Sequence, residues 1–566
     1  MRNVFKQIGV IALVAIIGVS FATLSLTGCG GADGGGSDYI PPEKKPVKDR
    51  WGKWIADDAT ATLVYSVDDD GVCTITVGGT AQPNNETDDW GRWKAQALYF
   101  YTAKAGKSYT YKFQAWTESG TRKLSFQYLT DNKEKIYKNR EILLTNESQT
   151  YTVYGGLLSK NVENQVEFQC ADQLGTFYVK MLEIKEYIMT SGNEPFTNID
   201  EMAAWLDSQP DNTAATAHTI KLNISGDLGG DIDTPGSVGY VLSGSGKYVN
   251  LDLSGSTITS INDMAFFWYT NLTGITIPNS VTSIGHAAFA FCTSLTAINV
   301  DSGNINYSSD QGVLYNKDKT TLVAYPGKKS GAFTIPNSVT RIENNAFQCC
   351  QSLTGITIPN SVESIGSLAF QYCAGLTSVA IPNSVTYIDE FGAFAACGSL
   401  TAINVDSGNA NYSSDQGVLY DKSKTTLMQY PAGKTGSSFA IPNSVTSIGV
   451  EAFMDCKSLI SITIPNGVTS IESYAFESCT SLTTITIPGS VTSIDGGAFG
   501  NCNSLTSVIF QGTIPADSFG YVDDDYIQSP FDGDLRDKFY AEDEDNGTPG
   551  TYTRPSGSST TWTKQP

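Results

Sequence analysis

The scarcities of this chain narrow its chemistry first. Only two histidines occur in 566 residues, His218 and His286, and they lie in different regions. A multi-histidine metal site or a Ser-His-Asp triad has almost nothing to be built from. There is no Cys-x-x-Cys pair, and the stretch SGSGKY from Ser243 lacks the spacing of a phosphate loop. Charged residues are only 17 % of the chain, and positive charge is the scarcer sign: 36 Lys and Arg against 58 Asp and Glu, a formal net charge of −22. Phosphate recognition wants a basic stripe, so no nucleic-acid partner is expected. An anionic membrane surface would repel the body of the chain, so membrane attachment has to be covalent. The runs Asp68-Asp69-Asp70 and Asp523-Asp524-Asp525 read as solvated turns. The many carboxylates offer pairs for glycoside hydrolysis, but nothing singles one pair out. No catalytic residue, metal or cofactor is therefore assigned.

What is present points to β structure. The chain is 40 % hydrophobic with 54 glycines, enough to fold and rich in turns. Its length exceeds one core and calls for about two to four domains.

The N-terminus supplies the covalent attachment. Arg2 and Lys6 precede an apolar stretch from Ile8 to Leu26, which ends in Leu26-Thr27-Gly28-Cys29. Small residues before a cysteine at the end of such a stretch mark a secretory signal. The alternative is a transmembrane helix, since the run is nearly long enough to span. The Gly-rich GCGGADGGGSD that follows is a leash and not a stop-transfer flank, which favours cleavage. The segment resembles the bacterial lipoprotein lipobox. The resemblance implies a signal peptide at 1–28, an acylated Cys29 as first residue of the mature chain, and a lipid anchor at the cell surface. Gly30 rather than Asp after it is consistent with an outer membrane. Residues 29–50 then form a tether, reaching roughly 70 Å when extended at about 3.4 Å per residue.

Residues 51–188 alternate. In SYTYKFQAW, Tyr109, Tyr111, Phe113 and Ala115 share one face, and Thr110, Lys112, Gln114 and Trp116 the other. KLSFQYL and VEFQC alternate in the same way, so a β-sandwich is expected. An aromatic on a polar face suits sugar stacking, with neighbouring polar groups for the hydroxyls. Trp116 with Lys112 and Gln114, and Gln127 nearby, form the candidate carbohydrate site. Trp90, Trp93 and Gln96 are further candidates, with Trp90 and Trp93 alternatively core or loop-packing residues. The segment resembles the jelly-roll carbohydrate-binding modules of the CenC type in WGRWKAQALYFY, AGKSYTYKFQAW and GTFYVKMLEI. Lys180 stands where that family often has Asp, which argues against carrying over its structural cation.

Residues 189–250 hold one helix candidate, EMAAWLDSQ, capped by Asn198 or Asp200 and closed by Pro210. The strand-like TIKLNIS and Gly-rich turns follow. This segment reads as the N-terminal cap of what comes next.

From 251 to 512 the chain repeats itself. IPNSV or a close variant begins at Ile277, Ile335, Ile358, Ile381, Ile441, Ile464 and Ile487, with 23 residues between coils that carry no insertion. An Ala-Phe pair follows in each unit. Seven of these phenylalanines are followed three residues later by Cys292, Cys350, Cys373, Cys397, Cys456, Cys479 and Cys502, and Tyr269 holds that place in the first coil. A unit this short cannot bury its own Leu, Ile and Phe, so the units must stack into a solenoid. The pattern IPNSVTSIGVEAFMDCKSLISIT from Ile441 resembles the BspA-type leucine-rich repeat of bacterial surface proteins. That resemblance implies a curved solenoid and adhesion to host or microbial surfaces.

Two insertions are copies of one another, INVDSGNINYSSDQGVLYNKDKTTLVAYP from Ile298 and INVDSGNANYSSDQGVLYDKSKTTLMQYP from Ile403. Each reads as a β-hairpin. Their tyrosines, Tyr307, Tyr315, Tyr325, Tyr412, Tyr420 and Tyr430, either form a projecting partner-binding surface or pack their own hairpins. The strand residues Thr276, Thr357, Ala380, Thr463 and Thr486 make a bland face without the Trp and Arg of binding hot spots. Residues 513–566 read as a C-terminal cap with a short acidic helix and a closing strand pair.

The chain has 11 cysteines. Those of the repeats would point in parallel, which favours a column of buried thiols over disulfides. Cys73 and Cys170 either pair or remain thiols. The expected architecture is mainly β: a jelly-roll β-sandwich, then a curved leucine-rich-repeat solenoid with caps. The expected function is that of a noncatalytic surface adhesin, with a glycan or glycoprotein ligand for the sandwich and a host or microbial surface protein for the repeats. The alternative is glycan capture within a polysaccharide-degrading system.

Overall fold

The computed structural model describes residues 194–566 apart from Ile232, Pro235, Asp524 and Asp525, and the backbone of ten strands between residues 51 and 187. The expected signal peptide and tether with Cys29, and also Trp90, Trp93 and Cys170, lie outside the described residues.

The ten strands are β1 (Trp51–Ile55), β2 (Thr62–Val67), β3 (Val72–Gly78), β4 (Ala95–Ala103), β5 (Ser108–Thr117), β6 (Arg122–Leu129), β7 (Arg140–Leu144), β8 (Gln149–Tyr154), β9 (Val162–Gln169) and β10 (Gly175–Tyr187). They form two five-stranded antiparallel sheets, in the orders β1-β4-β9-β6-β7 and β2-β3-β10-β5-β8. In β5, Phe113 and Ala115 are fully buried and Gln114 between them is half-buried, the period-2 alternation of a strand with one covered face.

The solenoid opens on helix α1 (Ile199–Ser208), where the Asn198 side chain accepts from the backbone N–H of Asp200 at 2.7 Å and of Glu201 at 3.3 Å. Its buried Met202, Trp205 and Leu206 cover the first coil. The sequence reading expects only Gly-rich turns before residue 250; the structure instead forms a second helix, α2 (Val238–Ser245), capped by Ser237 and ended by Gly246 in the left-handed region. Strand His218–Lys221 then starts a parallel ladder through Val249–Asp252, Leu272–Ile277 and Ala297–Val300.

The repeats make a β-solenoid of about 11 turns. The Ile-Thr-Ile strands form one set of parallel ladders, for example Ser378–Ile381 with Ala402–Val405 and Thr484–Ile487 with Ser507–Phe510. A second ladder is built from the short Ser-Ile strands, running Arg341–Ile342, Ser364–Ile365 and Tyr387–Ile388, and again Ser447–Ile448, Ser470–Ile471 and Ser493–Ile494. The third side is the Ala-Phe corner. Its rings stack coil on coil: Phe266 on Phe289, then Tyr325–Phe347–Phe370–Phe394, then Tyr430–Phe453–Phe476–Phe499–Phe531, with centroids 4.5 to 5.8 Å apart. Each buried ring contributes about 1.5–3 kcal/mol, and stacking adds about 0.5–1.5 kcal/mol per pair.

The eight described cysteines are free and buried. The column thiols also tie coils together: Cys292, Cys373 and Cys397 donate to the carbonyls of Phe266, Phe347 and Phe370 at 3.0 Å, and Cys479 and Cys502 to those of Phe453 and Phe476 at 3.2 Å. Burial holds the Cys350, Cys373, Cys456, Cys479 and Cys502 thiols well above their ordinary pKa.

The insertions do not project as free hairpins. Each is a three-stranded meander, Tyr307–Asp310, Val313–Asn316 and Thr321–Ala324 in the first, and its last strand pairs in parallel with the Ser-Ile ladder at Arg341–Ile342. The second copy repeats this through Tyr412–Asp415, Val418–Asp421 and Thr426–Gln429. At the C-terminus, helix α3 (Leu535–Phe539) and the strands Gly550–Thr553 and Thr563–Lys564 close the stack, the former strand pairing antiparallel with Ser507–Phe510. Arg554 lies 4.7 Å from the Trp562 ring and donates to the carbonyls of Leu505, Cys502 and Ser559.

Candidate binding surface

At each Ala-Phe corner the residues two before and two after the phenylalanine adopt positive φ. Examples are Met264 and Trp268 around Phe266 (53° and 60°), Ala287 and Phe291 around Phe289 (51° and 60°), and Leu368 and Tyr372 around Phe370 (55° and 59°). For a residue with a Cβ this backbone costs roughly 1–2 kcal/mol. The cost is offset because the turn aims alternate N–H groups along the solenoid axis. The N–H groups of Met264, Phe266 and Trp268 donate to the carbonyls of His286, Ala288 and Ala290 in the next coil, at 2.8 to 3.0 Å. The side chain at the second of these left-handed positions is exposed at Trp268, half-buried at Phe291 and Tyr372, and buried at Cys349, Ala396 and Ser478.

In the first coils that position carries aromatic rings. The Trp268 indole, 36 % exposed, stacks on Phe291 with centroids 4.7 Å apart and planes at 16°. Phe267 meets Phe291 edge-on at 5.3 Å, and Tyr372 meets the same ring at 5.8 Å. Phe291 and Tyr372 meet past two intervening coils, whose residues at the same place are Gly327 and Cys349. The result is an aromatic platform with a solvent-facing indole.

Further along, the corner turns polar and forms a buried relay. Asn345 Nδ2 donates to Gln348 Oε1 (2.8 Å), Gln348 Nε2 to Gln371 Oε1 (2.6 Å), and Gln371 Nε2 to Glu451 Oε2 (2.7 Å). Burial pushes the Glu451 carboxyl up to about 8 and that of Glu477 up to about 7, against hydrogen bonds from Gln371 and Asn501 that lower them. Burial favours the neutral form of both carboxyls, which is how a sparsely charged core admits them.

The insertion tyrosines are not a contact surface. Tyr315, Tyr325, Tyr420 and Tyr430 are at most 5 % exposed, and Tyr412 is 9 % exposed. Tyr325 and Tyr430 take the place of the corner phenylalanine, down to the N–H bond each makes to the next coil's alanine carbonyl at 2.7 Å. Tyr307 is half-buried, and its hydroxyl, like that of Tyr412, accepts a backbone N–H of the preceding coil, from Ile284 at 3.0 Å and Ile388 at 2.7 Å. The physical reason is the meander: its strands lie in the coil, so their apolar faces join the core. Thr357, Ala380 and Thr463 are exposed, and Thr276 and Thr486 half-buried, a flat and small-residue face.

The sheet topology divides the carbohydrate candidates. Lys112, Gln114 and Trp116 lie on β5, where Trp116 is opposite Tyr178, Gln114 opposite Lys180 and Lys112 opposite Glu183 of β10. Gln96 on β4 and Gln127 on β6 belong to the other sheet, opposite Gln169 and Glu167 of β9. Gln127 is thus not a sheet neighbour of Trp116 as the sequence reading expects, because β6 crosses to the second layer after β5. Sequence reasoning also misses Trp268. The position two after the corner phenylalanine varies between coils (Trp, Phe, Cys, Tyr, Ala, Asp, Ser, Asn), and it is buried in some of them, as at Cys349, Ala396 and Ser478, so no sequence signal singles Trp268 out.

The leucine-rich repeat region of BspA type matches in six copies, over residues 239–330, 322–424 and 432–523. The repeats are BspA-type leucine-rich repeats. Among solved structures, the chain is similar to a leucine-rich repeat protein from Eubacterium ventriosum (28 % identity over 50 % of this chain and 69 % of that one, TM-score 0.32). It is also similar to a leucine rich cell surface protein from Faecalibacterium prausnitzii (27 % identity, 44 % and 76 %, TM-score 0.32). A third similarity is to the family 11 carbohydrate-binding module from Clostridium thermocellum, solved with a mixed-linked tetrasaccharide (13 % identity, 24 % and 88 %, TM-score 0.17). No curated protein matches. Among the described residues no helix is long and apolar enough to cross a membrane, and no three His, Cys, Asp or Glu are grouped to hold a metal.

Proposed function

We propose that this chain is a noncatalytic binding protein of the bacterial cell surface, whose BspA-type repeats contact a macromolecular partner through the aromatic corner of the first coils. The observation that carries the reading is the Trp268–Phe291 stack, an indole left 36 % exposed on a solenoid whose Ile-Thr-Ile strands present small side chains such as Thr357, Ala380 and Thr463. Exposed Trp and Tyr anchors are where binding energy concentrates. Tyr372 extends the platform, and the hydrogen-bonded left-handed turns hold it in place at little entropic cost on binding. In hydrogen exchange of the full chain bound to an immobilised glycoprotein, new protection is expected at 264–268, 287–291 and 368–372. Protection confined to the strand face would overturn the assignment.

In the same reading Cys29 carries the lipid that holds the protein at the outer membrane, and residues 29–50 tether it. The 51–188 segment is a carbohydrate-binding sandwich, with Trp116, Lys112 and Gln114 on the uncovered face of β5. The full alternation of Phe113 and Ala115 against Gln114 supports that orientation of β5. On a glycan array, Trp116→Ala is expected to abolish the signal that the full chain gives through this segment. An unchanged signal removes Trp116 from the site. Metabolic labelling with a radioactive fatty acid is expected to mark the wild type and not Cys29→Ser.

A further inference from the structure

The Ser-Ile ladder repeats almost without change. Five of its coils read Thr-Ser-Ile, starting at Thr259, Thr282, Thr446, Thr469 and Thr492. The three consecutive coils between the insertions each depart at one place: Arg341 stands for the serine, Glu363 for the threonine, and Tyr387 for the serine again. The parallel register sets them side by side, since Arg341 is opposite Ser364 and Ser364 opposite Tyr387. With strands about 4.8 Å apart, the three side chains span roughly 10 Å of one face.

Stability does not account for the departures. The hydroxyls of the repeat tie coil to coil. Thr282, Thr469 and Thr492 donate to the carbonyls of Thr259, Thr446 and Thr469 at 3.1 to 3.2 Å, and Ser470 to the hydroxyl of Ser447 at 2.9 Å. Glu363 has no hydroxyl to make such a bond. The new side chains bury little in exchange: all three are exposed, Tyr387 to 53 %. An exposed ion pair such as Arg341–Glu343 adds little stability.

What the three residues gain is order at the surface. Glu343 accepts from Arg341 Nε at 3.1 Å and from Nη2 at 2.8 Å, which fixes the guanidinium and leaves its remaining N–H groups to a ligand. The Tyr387 hydroxyl donates to Asp389 Oδ2 at 3.0 Å, which fixes the ring. Glu363 lies one strand away, its carbonyl accepting the Tyr387 N–H at 3.2 Å. A cation seated there meets a carboxylate and a ring face within the ~6 Å of a cation–π contact. Charge favours that occupant. Arg341 is the only basic residue between Lys329 and Lys422. Against it stand Glu343, the exposed Glu363, and Asp389 and Glu390 beside Tyr387.

We propose that this face docks a protein partner through a lysine- or arginine-bearing segment, its cation seated between the Glu363 carboxylate and the Tyr387 ring, and a neighbouring peptide carbonyl taken by Arg341. The surface is separate from the Trp268 corner, and its test keeps the two apart. A displayed library of random linear peptides is selected on the full chain in physiological salt, after removal of every peptide that binds the triple variant Arg341→Ser, Glu363→Thr, Tyr387→Ser. That variant restores the sequence of the other coils, so its thermal midpoint is expected to match the wild type. The surviving peptides are expected to be enriched in Lys and Arg and to bind the triple variant at least about tenfold more weakly. Tyr387→Ser alone, which alters only an exposed ring, is expected to weaken them in the same direction. Trp268→Ala, and Glu544→Gln as removal of an exposed charge elsewhere, are expected to leave them unchanged. The proposal is overturned if no peptide survives the subtraction, if the survivors are neutral or acidic, or if Trp268→Ala weakens them as much as the triple variant does. A signal on an array of neutral glycans that only the triple variant loses would give the face to sugar and overturn it as well.

Discussion

Glu451 places a carboxyl where the corner of a repeat is fully packed, 4 % exposed and met by one amide. Its folded pKa, pushed up to about 8 by burial, lies above the ordinary 4.5, and that of Glu477, about 7, behaves alike. A raised acid pKa means the folded state binds the proton more tightly. The associated stability is complete below about pH 4.5 and is lost as pH rises through 7 to 8. Thermal or urea unfolding should show the solenoid weakening over that window. Glu451→Gln, which keeps an acceptor for Gln371, should flatten much of the slope and stabilise the protein at pH 9 by on the order of 3–5 kcal/mol. A wild-type profile with no decline between pH 5 and 9 would sink the assignment. The thiols make a second residue-scale case. Cys292, Cys349, Cys350, Cys373, Cys397, Cys456, Cys479 and Cys502 are buried and unpaired, so a thiol reagent mapped by mass spectrometry should label them only after denaturation. Their column was legible from spacing alone, because a recurring Cys at each coil leaves its sulfur parallel to the next. The left-handed turns were not legible, since Met264, Leu368 and Glu451 carry none of the usual Gly or Asn signal, and only the N–H bonds to the next coil explain them.

The insertion elements depend on one residue each. Asn304 and Asn409 are fully buried. The Asn304 Nδ2 donates to the carbonyls of Pro278 and Val281, and its Oδ1 accepts from the N–H groups of Asn306 and Tyr307. Asn409 repeats all four bonds with Pro382, Val385, Asn411 and Tyr412. Asn409→Ala strands three buried groups and one part-buried group and should cost about 2–4 kcal/mol, with faster hydrogen exchange confined to residues near 382–412. Exchange unchanged in that stretch would contradict the role. The hairpin of VLY and TTL was readable from its alternation and polar turn. Tyr307–Asp310 was not, because YSSD shows no apolar period. The pairing of Thr321–Ala324 with the coil depends on a neighbour 20 residues on, and that contact turns projecting tyrosines into core residues.

At the scale of the whole molecule, a solenoid is an unfinished ladder at both ends. α1 closes one end over Trp205 and Leu206, and the other is closed by Phe531, Phe539, Tyr552 and Trp562. Truncation after residue 512 removes that closure and exposes the Ser507–Phe510 edge and its apolar side. The truncated chain should associate at micromolar concentration in sedimentation, where the full chain does not. Period and composition sufficed for the stacked coils; they could not show which corner is dressed for contact, because that follows from backbone turns and not from the recurring residues. The central claim is that this corner binds. Its most direct test is the affinity of the full chain, wild type and Trp268→Ala, for a panel of immobilised extracellular glycoproteins, with Thr463→Ala on the strand face as control. The account predicts a glycoprotein whose Kd rises at least tenfold in Trp268→Ala and stays unchanged in the control, with equal thermal midpoints; equal affinity of wild type and Trp268→Ala for every glycoprotein bound would contradict it.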